Sequence, residues 1–223
     1  YDLYWRGVWE HEGGGCTLNH AVHHIDLLVW AKGLPAEVSS FMANLNHGNS
    51  EEEDLSMSML RYADGTMAEI NSSLIHHGER QLLDFQMERA GISLPFDVRA
   101  AAARPNGFPA EDVDTVRRIE EEYERLPSPE HEHHAGQIAN FLDAAEHGTP
   151  LLINGAEGRK TIELISAVYK SAITGEKVRL PLTKEDPHYS FPSRIEEAVR
   201  FNTKTKTVRS FGDASITSFE GKF

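Results

Sequence analysis

The stretch Gly13-Gly14-Gly15-Cys16-Thr17-Leu18-Asn19-His20-Ala21-Val22-His23-His24-Ile25-Asp26 sets three glycines directly before a helical pattern rich in histidine. Leu18, Val22, Ile25 and Val29 recur at three and four residues, and Ala21 and Leu28 widen the stripe. That spacing predicts a helix from about Thr17 to Lys32. Gly33 stands where helices usually stop, and Pro35 blocks continuation. Glycine lets backbone come close to a neighbour or ligand, and a helix start offers unpaired N–H groups. On one continuous helix Asn19, His23 and Asp26 fall on neighbouring rows. An amide carbonyl and a carboxylate so placed can hold the His23 imidazole in one tautomer, leaving its other nitrogen to exchange a proton. His20 and His24 form a second pair on an adjacent strip.

Upstream, residues 1–12 (YDLYWRGVWEHE) are rich in aromatics and read as a strand or extended entry segment. Trp5, Arg6 and Trp9 lie close enough in sequence to the glycines to line a pocket. Downstream come strands. Val38–Asn46 and Asp54–Tyr62 alternate, Asp64-Gly65 is a strong hairpin signal, and Thr66–Ile75 returns. After His76-His77-Gly78, Arg80–Glu88 and Ile92–Leu94 are expected to continue the same antiparallel meander. Residues 96–110 read as a surface loop. Helices follow over Glu111–Arg125 and His133–His147. Another starts at the capping-box pattern Asn154-x-x-Glu157 and is closed by Gly175. Val178–Leu180 reads as a short strand, Ser193–Arg200 as a short helix, and the rest of the tail as extended.

Strands in one block with helices before and after predict an α+β fold, an open, mostly antiparallel sheet with helices packed on one face. The uncovered face would carry Met57, Met59 or Met87, as faces do that pair with another subunit or domain. Residues 1–182 are expected to form the main domain, with 183–223 a C-terminal extension packing on it or toward a further domain.

Composition narrows the function classes. A net charge of −13 disfavours nucleic acid as a partner, and no apolar run approaches a membrane span. A single cysteine, Cys16, excludes an internal disulfide and fits a reducing cytoplasm. Its expected role is that of a small packing residue. The chain opens with Tyr1 rather than Met, so a preceding segment is expected. The 12 histidines cluster at 20/23/24, 76/77 and 131/133/134. A competing reading is therefore a histidine-rich metal-binding or non-catalytic dimerising module. In it His20 and His24 would be joined by His76-His77 or by His131, His133 and His134.

The ordered motifs favour another reading. Gly13-Gly14-Gly15, Asn19, His23 and Asp26, then Trp30-x-x-Gly33-x-Pro35, Glu53-Asp54 and Asp64-Gly65, stand in an order similar to the second domain of the Gfo/Idh/MocA family. Gln137-x-x-x-Phe141-Leu142, Gly148-x-Pro150, Asn154-Gly155-x-Glu157-Gly158 and Ser171-x-x-x-Gly175 before Val178-x-Leu180-Pro181 extend the resemblance over roughly residues 9–182. It implies the substrate and oligomerisation domain of an NAD- or NADP-dependent oxidoreductase. Its substrate would be a sugar, polyol or related compound, and it would form a homodimer or homotetramer through the open sheet face.

On that resemblance His23 exchanges the hydroxyl proton with Asn19 beside it and Asp26 supporting. His20, His24, Arg6, Trp9, His76 and His77 would stand on the substrate side. Gly14 and Gly15 would come close to the cofactor. Asn19 departs from the family's commoner Asp, and an amide cannot take up a proton, so its implied part is orientation. No Gly-x-Gly-x-x-Gly follows a strand, and the family's Glu-Lys-Pro segment is missing. The dinucleotide domain is thus expected before Tyr1, and this fragment alone is expected to be inactive.

Overall fold

The triple glycine does not open one long helix. In the computed structural model, which describes residues 1–131 and 133–210, a single helical turn α1 (Trp9–Glu12) comes first. A second turn, α2 (Cys16–Asn19), follows the glycines, and α3 (Val22–Lys32) begins only after a break. The first sheet strands are β1 (Glu37–Ala43), β2 (Leu55–Arg61) and β3 (Met67–Ser73). Then come β4 (Leu83–Gln86), β5 (Gly91–Leu94), β6 (Asp97–Arg99), β7 (Ala101–Ala103) and β8 (Pro109–Glu111). The helices α4 (Val113–Glu124), α5 (His133–His147) and α6 (Gly155–Thr174) lead to β9 (Val178–Arg179), a 3-10 turn at Pro187–Tyr189 and α7 (Phe191–Glu197). The fold is α+β with open antiparallel sheets. Two packing units divide the chain: Tyr1–His77 with the described residues from Gly155 onward, and Gly78–Asn154.

Four expectations are corrected here. Residues 1–12 are not a strand: Leu3 makes one parallel bridge to Val208, and the chain then coils into α1. Gly13 closes that turn at φ +78°, its N–H reaching Trp9 O, a conformation that suits glycine. The helix expected from Thr17 breaks at His20-Ala21, where the N–H groups of both residues donate to Cys16 O at 3.2 and 3.0 Å. A carbonyl shared in this way widens the turn and rotates the helix beyond it. The meander also ends early. Ser73 Oγ accepts from the N–H of Ile75 and of His76, turning the chain out of the ladder. The strands β4, β5 and β6 form a separate sheet, and the segment read as a loop over 96–110 holds β6 and the β7–β8 hairpin.

In the first unit the strand order is β3-β2-β1-β9. The face covered by α6 is the serine face: Val38, Ser40, Ser56, Ser58 and Leu60 are buried. Small hydroxylated side chains let the helix approach closely, and their polar atoms stay satisfied, as burial requires. Ser40 Oγ lies 2.8 Å from Ser58 Oγ. Because β9 pairs only with Glu37 and Val38 of β1, Ser40 N–H finds Ser171 Oγ instead at 3.0 Å. The opposite face is apolar and open, with Phe41 79%, Met57 47%, Met59 48% and Met67 60% exposed. Trp9, Ile25, Leu164, Ile165, Val168 and Tyr169 fill the core beneath α6.

In the second unit Val116 and Ile119 of α4 pack on Ala90, Val98 and Ala100. Asp112 caps α4 by accepting from Thr115 N–H, and Tyr123 stacks on Phe96 with ring centroids 3.7 Å apart. After α7 the chain runs back beside Tyr1–Asp2 through the Leu3–Val208 bridge. Positions 211–223, part of the tail read as extended, lie outside the described residues.

Candidate functional site

The glycine run is moored to three consecutive acids. Glu52, Glu53 and Asp54, the last residues before β2, are at most 1% exposed. Glu53 accepts from Gly15 N–H and Thr17 N–H at 3.0 Å each and from Tyr169 OH at 2.9 Å. Its backbone carbonyl takes Cys16 N–H at 3.2 Å. A buried anion is thereby matched to the free N–H groups that start α2. Burial pushes the Glu53 carboxyl up, against the pull of these hydrogen bonds. Glu52 Oε1 accepts from Gly14 N–H at 3.2 Å. Asp54 serves the other side, holding the N–H groups of Leu45 and Asn46 and the His47 ring. Burial alone would raise Asp54, yet those hydrogen bonds keep it below the usual carboxylate range.

The glycines are explained by what they touch. A Cβ on Gly14 would fall 2.1 Å from Tyr169 Oη, and one on Gly15 2.1 Å from Glu53 O. The close approach anticipated toward a cofactor is, in this structure, made inside the chain. Cys16, fully buried, donates to Ser72 O at 3.4 Å, and burial together with the Glu53 charge pushes its thiol up. It is a packing residue here.

Above this buried floor sits a half-open polar group. Glu12 accepts from Arg6 Nη1 at 2.7 Å, from Asn19 Nδ2 at 3.0 Å, and from Gly7 N–H. Arg6 lies over the Trp5 ring at 5.3 Å and the Tyr1 ring at 5.9 Å. His20 and His23 are exposed. Burial and the Arg6 charge pull the His20 imidazole below its ordinary value, Glu12 opposes them, and His23 adds to the lowering. Arg6, Glu12, Asn19, His20 and His23 are thus one electrostatic neighbourhood.

Other expected site residues stand elsewhere. Trp9 is fully buried, its indole N–H donating to Val199 O at 3.1 Å and its ring edge-on to Tyr169. It cannot line a substrate pocket. Asp26 Oδ1 accepts from Thr161 Oγ1 at 2.6 Å, tying α3 to α6 rather than orienting His23. Because of the break before Ala21, Asn19 and His23 do not share one helix surface. His24 is half-buried, and His76 and His77 are exposed beyond β3 with no side-chain contact to the others among the described residues. Among those residues no group of three or more His, Cys, Asp or Glu is placed to hold a metal ion.

Reading the sequence missed Glu12, Glu52 and Tyr169. A run of acids before a strand reads by default as solvated, and its one available signal was the facing glycine run with N–H groups to satisfy.

Glu52 carries a consequence for stability. Burial first, then the charges of Glu12 and Glu53, push its carboxyl up to about 9. Its Oε2 faces no donor among the described residues, and the neutral acid shares its own proton with Glu12. The folded state then holds a proton that the unfolded state, with a carboxyl near ~4.3, has released. This contribution is full at acid pH and is lost as pH rises toward about 9, at a slope of about 1.4 kcal/mol per pH unit. Glu52→Gln, which can donate to Glu12 as the neutral acid does, is expected to remove that slope. Urea unfolding at acid, neutral and alkaline pH checks it, and parallel curves for variant and wild type would show Glu52 already ionised in the fold.

The fold occurs in known proteins. Residues 1–93 match the family model described as the GFO/IDH/MocA C-terminal domain. No curated protein matches the chain. Its fold is similar to that of the WlbA dehydrogenase from Bordetella pertussis, solved with NADH and UDP-GlcNAcA, at 23% identity and a TM-score of 0.60 over 80% of this chain and 49% of that one. It is also similar to the aldose-aldose oxidoreductase from Caulobacter crescentus, complexed with glycerol, at 18% identity and 0.59 over 81% and 52% of the two chains. Levoglucosan dehydrogenase with NADH and levoglucosan matches at 16% and 0.60, over 81% and 54%. The chain thus spans about half the length of these relatives.

A nicotinamide dinucleotide would need a cradle of free N–H groups for its phosphates. In this chain the N–H groups of Gly14 and Gly15 are committed to Glu52 and Glu53. The glycine run does not fit that role.

Proposed function

We propose that this chain is the substrate side of an NAD- or NADP-dependent oxidoreductase acting on a sugar, polyol or related hydroxyl or carbonyl compound. The dinucleotide would be held by another domain of the same protein, consistent with a chain that spans about half of its relatives. The observation that carries the reading is the exposed His23 beside His20 and the Arg6–Glu12–Asn19 network. In it His23 takes the proton of the substrate hydroxyl as that carbon is oxidised and returns it in the reverse direction. Asn19 and Arg6 offer a neutral and a cationic contact to neighbouring hydroxyls or to an acidic substituent. The molecules bound in similar structures support the class: UDP-GlcNAcA in the WlbA dehydrogenase and levoglucosan in levoglucosan dehydrogenase.

The open face of Phe41, Met57, Met59 and Met67 supports pairing with a second copy. The one free thiol, buried, suits a cytoplasmic protein. The test is one preparation of the full-length protein. It should reduce NAD or NADP with at least one member of a panel of sugars, sugar acids, nucleotide sugars and polyols, and scatter light as a dimer or larger. Absence of any nicotinamide-linked turnover across the panel would overturn the enzymatic reading, and a monomer the pairing.

A further inference from the structure

Asn19 is held between two acceptors. One hydrogen of its Nδ2 goes to Glu12 Oε1 at 3.0 Å and the other to Gly14 O at 2.7 Å. Only the amide nitrogen can serve at this place, since neither partner can donate. Gly14 is fixed in turn, its own N–H on Glu52 and its Cα face against Tyr169 Oη. Glu12 is fixed by Arg6 and by Gly7 N–H, with a side chain only 4% exposed. A carboxylate at position 19 would have no hydrogen for either acceptor and would stand against the Glu12 carboxylate.

We infer that Glu12 is a positioning residue of the proposed site, which specifies an amide rather than a carboxylate at position 19 and leaves Asn19 Oδ1 as the group that meets a substrate hydroxyl or the His23 ring. The inference rests on the role proposed for Asn19 and His23 above. It gives a physical reason for an amide at position 19: the acid beside it is Glu12, which accepts its N–H and is tied to Arg6. Charged and titratable groups face Glu12 from every side. Tyr1 and Arg6 come from the entry segment, His20 from the end of α2, Glu52 from the loop before β2, and Lys204 from the C-terminal segment.

The experiment is a double-mutant cycle in the full-length protein, read as kcat/KM against pH and as the thermal unfolding midpoint. Asn19→Asp is expected to lose at least about tenfold in kcat/KM at slightly alkaline pH, for one lost charge-assisted contact and one new repulsion. Part of that loss should return as pH falls, because the introduced carboxyl regains a donor once it is protonated. Asn19→Asp combined with Glu12→Gln should exceed Asn19→Asp alone by at least about fivefold, since the second substitution supplies an amide that can donate to the new carboxylate. A purely structural role would not produce the pH-dependent recovery. Asn19→Asp at wild-type activity, or a double variant no better than Asn19→Asp, overturns the inference. If the wild-type protein turns over no sugar or polyol, the proposed function falls. The midpoints then decide the coupling alone: Asn19→Asp lowered and the double variant restored sustains it, and three equal midpoints refute it.

Discussion

Replacing His23 by alanine in the full-length protein is expected to lower kcat/KM by about 10²–10⁴-fold, the usual range for removing a general acid–base. That range corresponds to about 3–5 kcal/mol of transition-state stabilisation. The loss should fall mainly on kcat, because the imidazole acts on a proton that moves in the reaction and contributes little to holding the rest of the substrate. Folding should be untouched, since His23 is exposed and makes no hydrogen bond among the described residues. An unfolding midpoint within about a degree of wild type would therefore separate this variant from a destabilised one. Steady-state kinetics on the best substrate, with oxidation and reduction followed separately, make the test. A loss of only a few-fold in both directions would remove His23 from the chemistry and turn attention to His20, whose imidazole the site already biases toward the neutral form.

Gly15→Ala should have the largest effect on stability. Its Cβ would lie 2.1 Å from the Glu53 carbonyl oxygen and 2.8 Å from Glu53 Oε2. Neither atom can retreat cheaply. The carbonyl accepts Cys16 N–H, and the carboxylate holds Gly15, Thr17 and Tyr169 together. Overpacking alone costs about 1–3 kcal/mol, and losing buried hydrogen bonds to a charged acceptor adds a comparable amount. A loss of at least ~3 kcal/mol is expected from these two terms. Gly33→Ala is the control. Nothing lies within 4 Å of its would-be Cβ, and the cost comes only from a backbone at φ 84°, ψ -170° that glycine alone takes readily, about 1–3 kcal/mol. Chemical denaturation of both variants compares the two mechanisms. Equal midpoints would mean that the loop before α2 can shift away from Glu53, contrary to the packing described.

The sequence makes the local elements plain and the tertiary anchors obscure. The Asp64-Gly65 hairpin places β3 beside β2, and the alternation through Met57 and Met59 turns the methionines of β2 outward, as found. The α5 bounds and the glycine stop of α6 are equally legible, because both rest on periodicity and caps. What escaped depends on a partner distant in sequence. The helix break at His20 arises where Gly15 and Thr17 are bound to Glu53, 36–38 positions away. Trp9 reads as a pocket residue only because it lies close in sequence to the glycines, yet Tyr169 and Val199 close over it from the other end of the chain. The strands at Asp97–Arg99, Ala101–Ala103 and Pro109–Glu111 are short and built of alanine, proline and charge, residues with little strand preference. For the site, the histidine and the amide stand out as neighbours in sequence, but the acids around them do not: Glu12, which holds the amide, sits among the aromatics of the entry segment, and Glu52, which holds Gly14, is 38 positions away.

The sheet that buries serines and shows methionines has a further consequence, in the language of damage rather than of assembly. None of the five methionines lies in the buried core, and Met57, Met59, Met67 and Met87 are 47%, 48%, 60% and 56% exposed. Peroxide meets thioethers first where solvent does, and each sulfoxide it makes is polar. Oxidation would thus roughen the open apolar surfaces while Trp9, Tyr169 and the serine seam beneath α6 stay as they were. The chain has placed these thioethers where a lesion costs surface character and spares the fold.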